Sequence, residues 1–360
     1  MSDLGTGLKE LADDIDDLSI PDPETDSLKK ALKFETVIPN TFVQDMMRYL
    51  NRRVIGQEEA KMVLIGTLYQ YLKYGDRSPL LLIGGTGCGK THLIRTAMSW
   101  IEAKMPTVHF ASRNVSRLTA SGWSGEDFDS ELCIFPTMRP GHHYIIHMDE
   151  IDKLMQPLHN AQGDDHNAAT CGQLMNAISG EDQRLAGMDW SRVLVIATGA
   201  FEWLEGERVK AAMDNKSPIG FGEMAKDTKL TERELLERAG VMKELLGRFS
   251  CITHLDTLGE QAMMDILCLP ASEGGLLEQK RDLYRQEGIR VVLETGARER
   301  IAARAVKDAH GARSISTILH ELLGPGQLVN LKLMGRKTFR ITGKEGEHVF
   351  KDGNMGISRR

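Results

Sequence analysis

The sequence predicts an α/β fold: a large domain built on a parallel sheet, followed by a smaller, mainly helical α+β domain. Three patterns carry that expectation. Short unbroken apolar runs at 80–83, 107–111, 144–148, 193–197 and 251–255 alternate with amphipathic helical stretches, as strands covered on both faces require. A glycine-rich segment links the first run directly to a helical pattern. Beyond Thr257 the strand-type runs thin out into helical stripes. A chain of 360 residues, 41% apolar and 27% charged, has the length for about two domains and the apolar content to give each a core.

Residues 1–38 read as a separate acidic segment. Its first thirty residues carry nine acidic side chains against three basic ones, which accounts for the whole net charge of −6. Leu4, Leu8, Leu11, Ile15 and Leu18 make a heptad-like stripe that Ser19, Pro21 and Pro23 close. Two heptads are short of a self-sustaining coiled coil, so a solvated leader is the simpler reading and a docking helix the sharper one. The large domain is expected over 39–255. Its helix after Lys90 places Leu93, Ile94, Ala97, Met98 and Ile101 on one face. The small domain is expected over 256–345, with helical stripes at Ile301, Ala302, Ala305 and Val306 and at Ile315, Ile318, Leu319 and Leu322, and strands at 289–294 and 339–342. Residues 346–360 read as a polar tail.

Composition excludes several classes. The apolar runs fall far short of the ~20 residues that span a bilayer, so no membrane is expected. No basic-then-apolar leader opens the chain, and the five cysteines are widely spaced with no Cys-x-x-Cys pair. The expectation is a cytoplasmic protein with reduced thiols and no structural zinc. The charge-balanced body exerts no general pull on phosphate backbones, so no nucleic-acid partner is expected.

The strongest local signal is Gly84-Gly85-Thr86-Gly87-Cys88-Gly89-Lys90-Thr91, which fits G-x-x-x-x-G-K-[ST] between a strand and the helix entered at His92. Glycines let backbone N–H groups turn inward around phosphate oxygens, and the helix N-terminus adds its positive end. Lys90 is placed to reach the β- and γ-phosphates of ATP, and the Thr91 hydroxyl to bind Mg²⁺. The matching acid stands at the end of another apolar run, His147-Met148-Asp149-Glu150. There Asp149 is the expected Mg²⁺ ligand and Glu150 the group that polarises a water for attack on the γ-phosphate. His142, His143 and His147 read as packed core rather than as a metal cluster. Thr198 ends the run at 193–197, where a hydroxyl can orient the attacking water or sense the γ-phosphate.

Further motifs make the chain resemble ClpX, the AAA+ protein-unfolding ATPase of the Clp protease. Val54-Ile55-Gly56-Gln57, the phosphate loop, Gly122-Trp123-Ser124-Gly125-Glu126-Asp127, Asp149-Glu150-Ile151-Asp152-Lys153, Gly199-Ala200-Phe201, Ile219-Gly220-Phe221-Gly222, Gly247-Arg248 and Gly311-Ala312-Arg313 occur in that family's order across roughly residues 45–325. The resemblance implies a AAA+ P-loop NTPase, a hexameric homo-oligomer and protein substrates. Ile55 falls in the segment similar to the adenine-binding box. Arg248 matches the arginine finger that reaches a neighbour's nucleotide. Arg313 matches the second sensor, in preference to Arg298 of Gly296-Ala297-Arg298, because it opens an amphipathic helix. Gly122, Trp123, Ser124 and Gly125 match the substrate-gripping pore loop, and Ile219, Gly220 and Phe221 the loop that docks on a ClpP-like peptidase.

The chain also departs from that pattern. The first cysteine is Cys88, so the family's amino-terminal zinc domain is not expected. Residues 154–190 hold no Arg-Lys-His cluster to serve as its basic second pore loop. Trp-Ser replaces the usual Tyr-Val of the first pore loop, and Gly85 replaces a proline. A non-proteolytic chaperone or assembly factor using the same motor is the alternative reading.

Overall fold

The computed structural model describes residues 38–116, 118–119, 126–127, 132–155, 166–180, 188–204, 206, 230–294, 296–308 and 310–342. Nearly all of the acidic segment, the polar tail, the pore-loop residues Gly122, Trp123, Ser124 and Gly125, and the docking residues Ile219, Gly220 and Phe221 lie outside them. Among the described residues, α1 (Phe42–Asn51) and α2 (Glu58–Tyr74) precede β1 (Leu80–Ile83), and α3 (Lys90–Glu102) leads into β2 (Val108–Asn114). Next come β3 (His143–Asp149), α4 (Asp152–Met155), α5 (His166–Ser179), β4 (Val193–Gly199), α6 (Glu232–Arg238), α7 (Lys243–Arg248) and β5 (Cys251–His254). The five strands form one parallel sheet in the order β2-β3-β4-β1-β5.

Side-chain alternation explains why the apolar runs are unbroken. Leu81 and Ile83 of β1 enter the core on one face of the sheet, with Ile146 and Val195, while Leu80 and Leu82 enter the other, with Ile145 and Leu194. Successive strand residues point to opposite faces, so a sheet covered on both sides needs apolar residues at every position. The edge strand β2 differs. It runs on through Ser112, Arg113 and Asn114, paired with His147, Met148 and Asp149, three residues past the apolar run. Only one side of an edge strand is paired, so polar residues are tolerated there.

The remaining chain builds α8 (Glu260–Leu267), α9 (Leu276–Gln286), β6 (Arg290–Leu293), α10 (Ala297–Lys307), α11 (Ala312–Leu323), α12 (Pro325–Leu333) and β7 (Thr338–Ile341). Strands β6 and β7 pair in parallel and share a third core with the helices, in which Met263, Tyr284, Ile301, Ile318, Leu331 and Phe339 are buried.

Tyr71 of α2 pins the start of the central strands. Its hydroxyl accepts the Tyr144 N–H at 2.7 Å and lies within donating reach of the carbonyls of Tyr144 (3.0 Å) and Arg192 (2.9 Å). Burial drives its phenol far above the ordinary value. Tyr71→Phe keeps the ring and strands a buried N–H. We expect a loss of about 1–3 kcal/mol, read from urea denaturation, with the denaturant slope unchanged.

Candidate nucleotide site

The site forms at the carboxyl ends of β1, β3 and β4, where open parallel sheets bind their ligands. The glycine loop leaves β1 and hands over to α3 at Gly89, so the first amides of α3 open toward the loop. Lys90 Nζ donates to the carbonyl of Gly84 and, at 3.0 Å, to that of Gly85. Cys88 is buried beneath the loop, its Sγ 3.8 Å from the Lys90 ammonium. Burial raises its thiol despite that neighbour. Thr86 Oγ1 donates to Glu202 Oε1 at 2.9 Å, tying the loop to the segment after β4.

Strand order brings the remaining groups together. Because β4 lies between β1 and β3, Thr198 stands beside the carboxylate delivered by β3. Asp149 is held from three sides. Thr91 Oγ1 donates to its Oδ2 at 2.9 Å, Thr198 Oγ1 to its Oδ1 at 2.6 Å, and the Glu150 amide to its Oδ1 at 3.0 Å. Burial pushes this carboxyl up, but the Thr198 and Thr91 hydroxyls, the His147 ring and the Glu150 amide more than offset that, and its pKa falls below the usual carboxylate value. Asp149 is therefore ionised at neutral pH. Glu150 adopts φ +60°, a left-handed conformation rare outside glycine that is met at functional turns. Thr198 has no exposed surface; its hydroxyl touches Asp149 and His147 rather than the open pocket.

A cavity of about 380 Å³ opens in front of this network, lined among others by Lys90, Thr91, Asp149, Glu150, Arg313 and Ser316. Thr86, Gly87, Gly89 and His92 also line it. Arg313 and Ser316 come from α11, so the second half of the chain supplies one wall. Ile55 precedes α2 and Arg248 ends α7; neither lines this cavity. Asp152, visible in the sequence only as one letter of a motif, is fully buried at the cavity wall, with Lys153 Nζ 3.6 Å from its Oδ2.

Two contacts join the phosphate loop to the chain beyond β5. Gly87 and Gly311 approach backbone to backbone: a Cβ on Gly311, at φ +57°, would lie 2.5 Å from the Gly87 carbonyl oxygen, and the Ala312 amide donates to that oxygen at 3.1 Å. Gln57, itself at φ +62°, exchanges hydrogen bonds with the backbone of Asp256: its Nε2 donates to the carbonyl at 2.8 Å and its Oε1 accepts the amide at 2.9 Å. The same Nε2 also reaches Cys88 O at 3.2 Å. Sequence reading misses Gln57, Glu202 and Asp152 as site-builders. The available signal is a polar residue beside a motif glycine, which does not reveal a partner 199 residues away.

A glycine loop on β1, with an acid two strands away and a hydroxyl strand between, is the architecture of a P-loop ATPase of the AAA+ type. Residues 80–206 match the family model described as ATPase family associated with various cellular activities (AAA). More narrowly, the chain is ClpX-like. The ATP-dependent Clp protease ATP-binding subunit ClpX 3 of Methylococcus capsulatus is 29% identical over 332 residues, covering 78% of this chain and 74% of that protein. ClpX of Treponema denticola is 27% identical over 343 residues (84% and 80%), and that of Bacteroides thetaiotaomicron 24% over 353 (86% and 82%). No helix among the described residues is long and apolar enough to cross a membrane.

Gly311→Ala should push the loop and α11 apart. We expect weaker ATP binding in calorimetric titration, by about tenfold or more (~1.4 kcal/mol), whereas Gly335→Ala, strained but clear of the loop, should leave binding unchanged.

Proposed function

We propose that this chain is the motor subunit of a homo-oligomeric ring, six-membered as its likeness to ClpX implies, which hydrolyses ATP to unfold and thread protein substrates into a ClpP-like peptidase in the cytoplasm. The observation that carries the reading is the convergence of Lys90, Thr91, Asp149, Glu150 and Arg313 on one cavity. ClpX-like sequence across both proposed domains, 39–255 and 256–345, extends it.

The residues present fit ATP with Mg²⁺. Thr91 Oγ1 and Asp149 Oδ2 are hard oxygen donors 2.9 Å apart, the ligand type this ion prefers, and Lys90 and the α3 amides complement phosphate charge. Bound there, the ion would neutralise charge on the phosphate oxygens. Glu150 lines the cavity with its backbone amide anchored on Asp149 and serves as the base toward the attacking water. Arg313 carries the nucleotide's state to α11. Arg248 does not line its own chain's cavity, which supports its assignment as a finger for a neighbour's nucleotide; such fingers are worth about 10³–10⁵ in rate. Ile55 belongs to the adenine side of the site. Trp123, between Gly122 and Ser124-Gly125, offers an indole that grips any polypeptide without sequence preference. Ile219 and Phe221 around Gly220 are the apolar pair that enters a peptidase pocket.

Glu150→Gln should keep ATP affinity within about twofold while hydrolysis falls by about 10²–10⁴, the usual worth of a general base, in a coupled phosphate-release assay. The same variant mixed with Arg248→Ala subunits should recover hydrolysis, because each supplies what the other lacks across an interface; no recovery removes the finger assignment. Trp123→Ala should leave ATPase activity intact and abolish unfolding of a tagged fluorescent protein. Phe221→Ala should leave that unfolding intact and abolish degradation with a ClpP-type peptidase; unchanged degradation would favour the non-proteolytic chaperone reading.

A further inference from the structure

A polar chain, buried at His147 and Thr198, crosses from the sheet edge to the proposed metal-binding carboxylate. Ser112 Oγ of β2 lies 2.9 Å from His147 Nδ1, and His147 Nε2 lies 2.9 Å from Thr198 Oγ1. Thr198 Oγ1 is 2.6 Å from Asp149 Oδ1, and Thr91 Oγ1 is 2.9 Å from Asp149 Oδ2. Every link joins two different elements, and β3 contributes both His147 and Asp149. Proton accounting fixes the direction. An ionised carboxylate only accepts, so Thr91 and Thr198 both donate to Asp149. With its one proton committed, Thr198 accepts from His147, whose proton is thereby assigned to Nε2. Nδ1 is then the acceptor, and Ser112 donates to it.

We propose that His147 is a positioning residue of the ATPase reaction: its Nε2–H locks the Thr198 hydroxyl onto Asp149 Oδ1, which orients the carboxylate and leaves Oδ2 to Thr91 and the metal. Packing alone does not call for an imidazole at this point. His147 is fully buried among apolar strand residues, and an imidazole there is tolerated only with both nitrogens satisfied. The sequence meets that demand with a serine on one neighbouring strand and a threonine on the other. The same geometry shows that Thr198 acts through Asp149, since it has no surface facing the cavity. The proposal rests on the ATPase assignment and is independent of the unfolding and peptidase readings.

Two amide substitutions separate the two nitrogens. Gln places its amide near Nε2 and keeps the donor to Thr198; Asn places its amide near Nδ1 and loses that donor. In the purified full chain, His147→Gln should retain kcat for ATP within about twofold. His147→Asn should lower kcat about three- to tenfold, the worth of one hydrogen bond, with KM for ATP and affinity for a fluorescent ATP analogue within about twofold. Ser112→Ala, a smaller change that spares the fold, should lower kcat about threefold or less on the same scale. All of these losses should vanish in a Thr198→Ala background, because a relay has nothing left to position. Equal impairment by Gln and Asn, or losses that multiply with that of Thr198→Ala, would overturn the relay while leaving Thr198 in its role. A silent Thr198→Ala would overturn both. Thermal unfolding midpoints, taken in parallel, should not rank the variants in the order of their kcat values; such a ranking would reduce His147 to a packing residue.

Discussion

One half-buried carboxylate at the cavity wall organises the site. Three donors surround Asp149, a hydroxyl from α3, a hydroxyl from β4 and the amide of its own successor, and all three favour its charged form. Each hydrogen bond to a charged group contributes about 1.5–3 kcal/mol, which holds the carboxylate in one orientation at the cavity wall. The two hydroxyls converge on it only because the sheet has its observed order, with β4 between the loop-bearing β1 and the acid-bearing β3. The two apolar faces of that sheet serve to hold these donors in register. The left-handed backbone at Glu150 is a local cost of about 1–3 kcal/mol that the same framework sustains, and it turns the chain sharply where the acid pair meets the cavity.

Much of this is legible in a single sequence, and the reason is short range. Strands buried on both faces announce themselves as apolar runs, and the glycine loop is a contiguous segment whose glycines, lysine and threonine line one cavity. Asp149 and Glu150 are legible because they end such a run. The extension of β2 through Ser112–Asn114 is not, since an edge strand carries polar residues that look like loop. Thr198 can be picked out as a strand-end hydroxyl, yet only the fold tells that it faces a carboxylate instead of the cavity. Arg313 can be preferred over Arg298 from helix patterning, and it does line the cavity.

What escapes sequence reading is every contact whose meaning lies in the partner. His147 looks like one of three histidines in and just before a strand, and its two hydrogen-bonding neighbours sit 35 and 51 residues away in the chain. Gln57 looks like the end of a short motif, while its amide spans the phosphate loop and the start of the second half of the chain. Glu202 trails a motif without belonging to it and still binds Thr86. In each case the residue type is ordinary and the pairing is long-range, so composition, periodicity and spacing carry no trace of it.

The contact of Gly87 with Gly311 and Ala312 has a thermodynamic corollary. It is made by main-chain atoms alone, so no rotamer change can absorb a displacement there, and a tilt of α11 must distort the glycine loop. Linkage is reciprocal: whatever free energy the nucleotide exerts on that tilt, an outside pull on the helical half exerts on nucleotide retention. In the proposed ring, a subunit under load would thus have an altered residence time for its nucleotide, and a jammed assembly would acquire a built-in brake or release without any separate regulatory element.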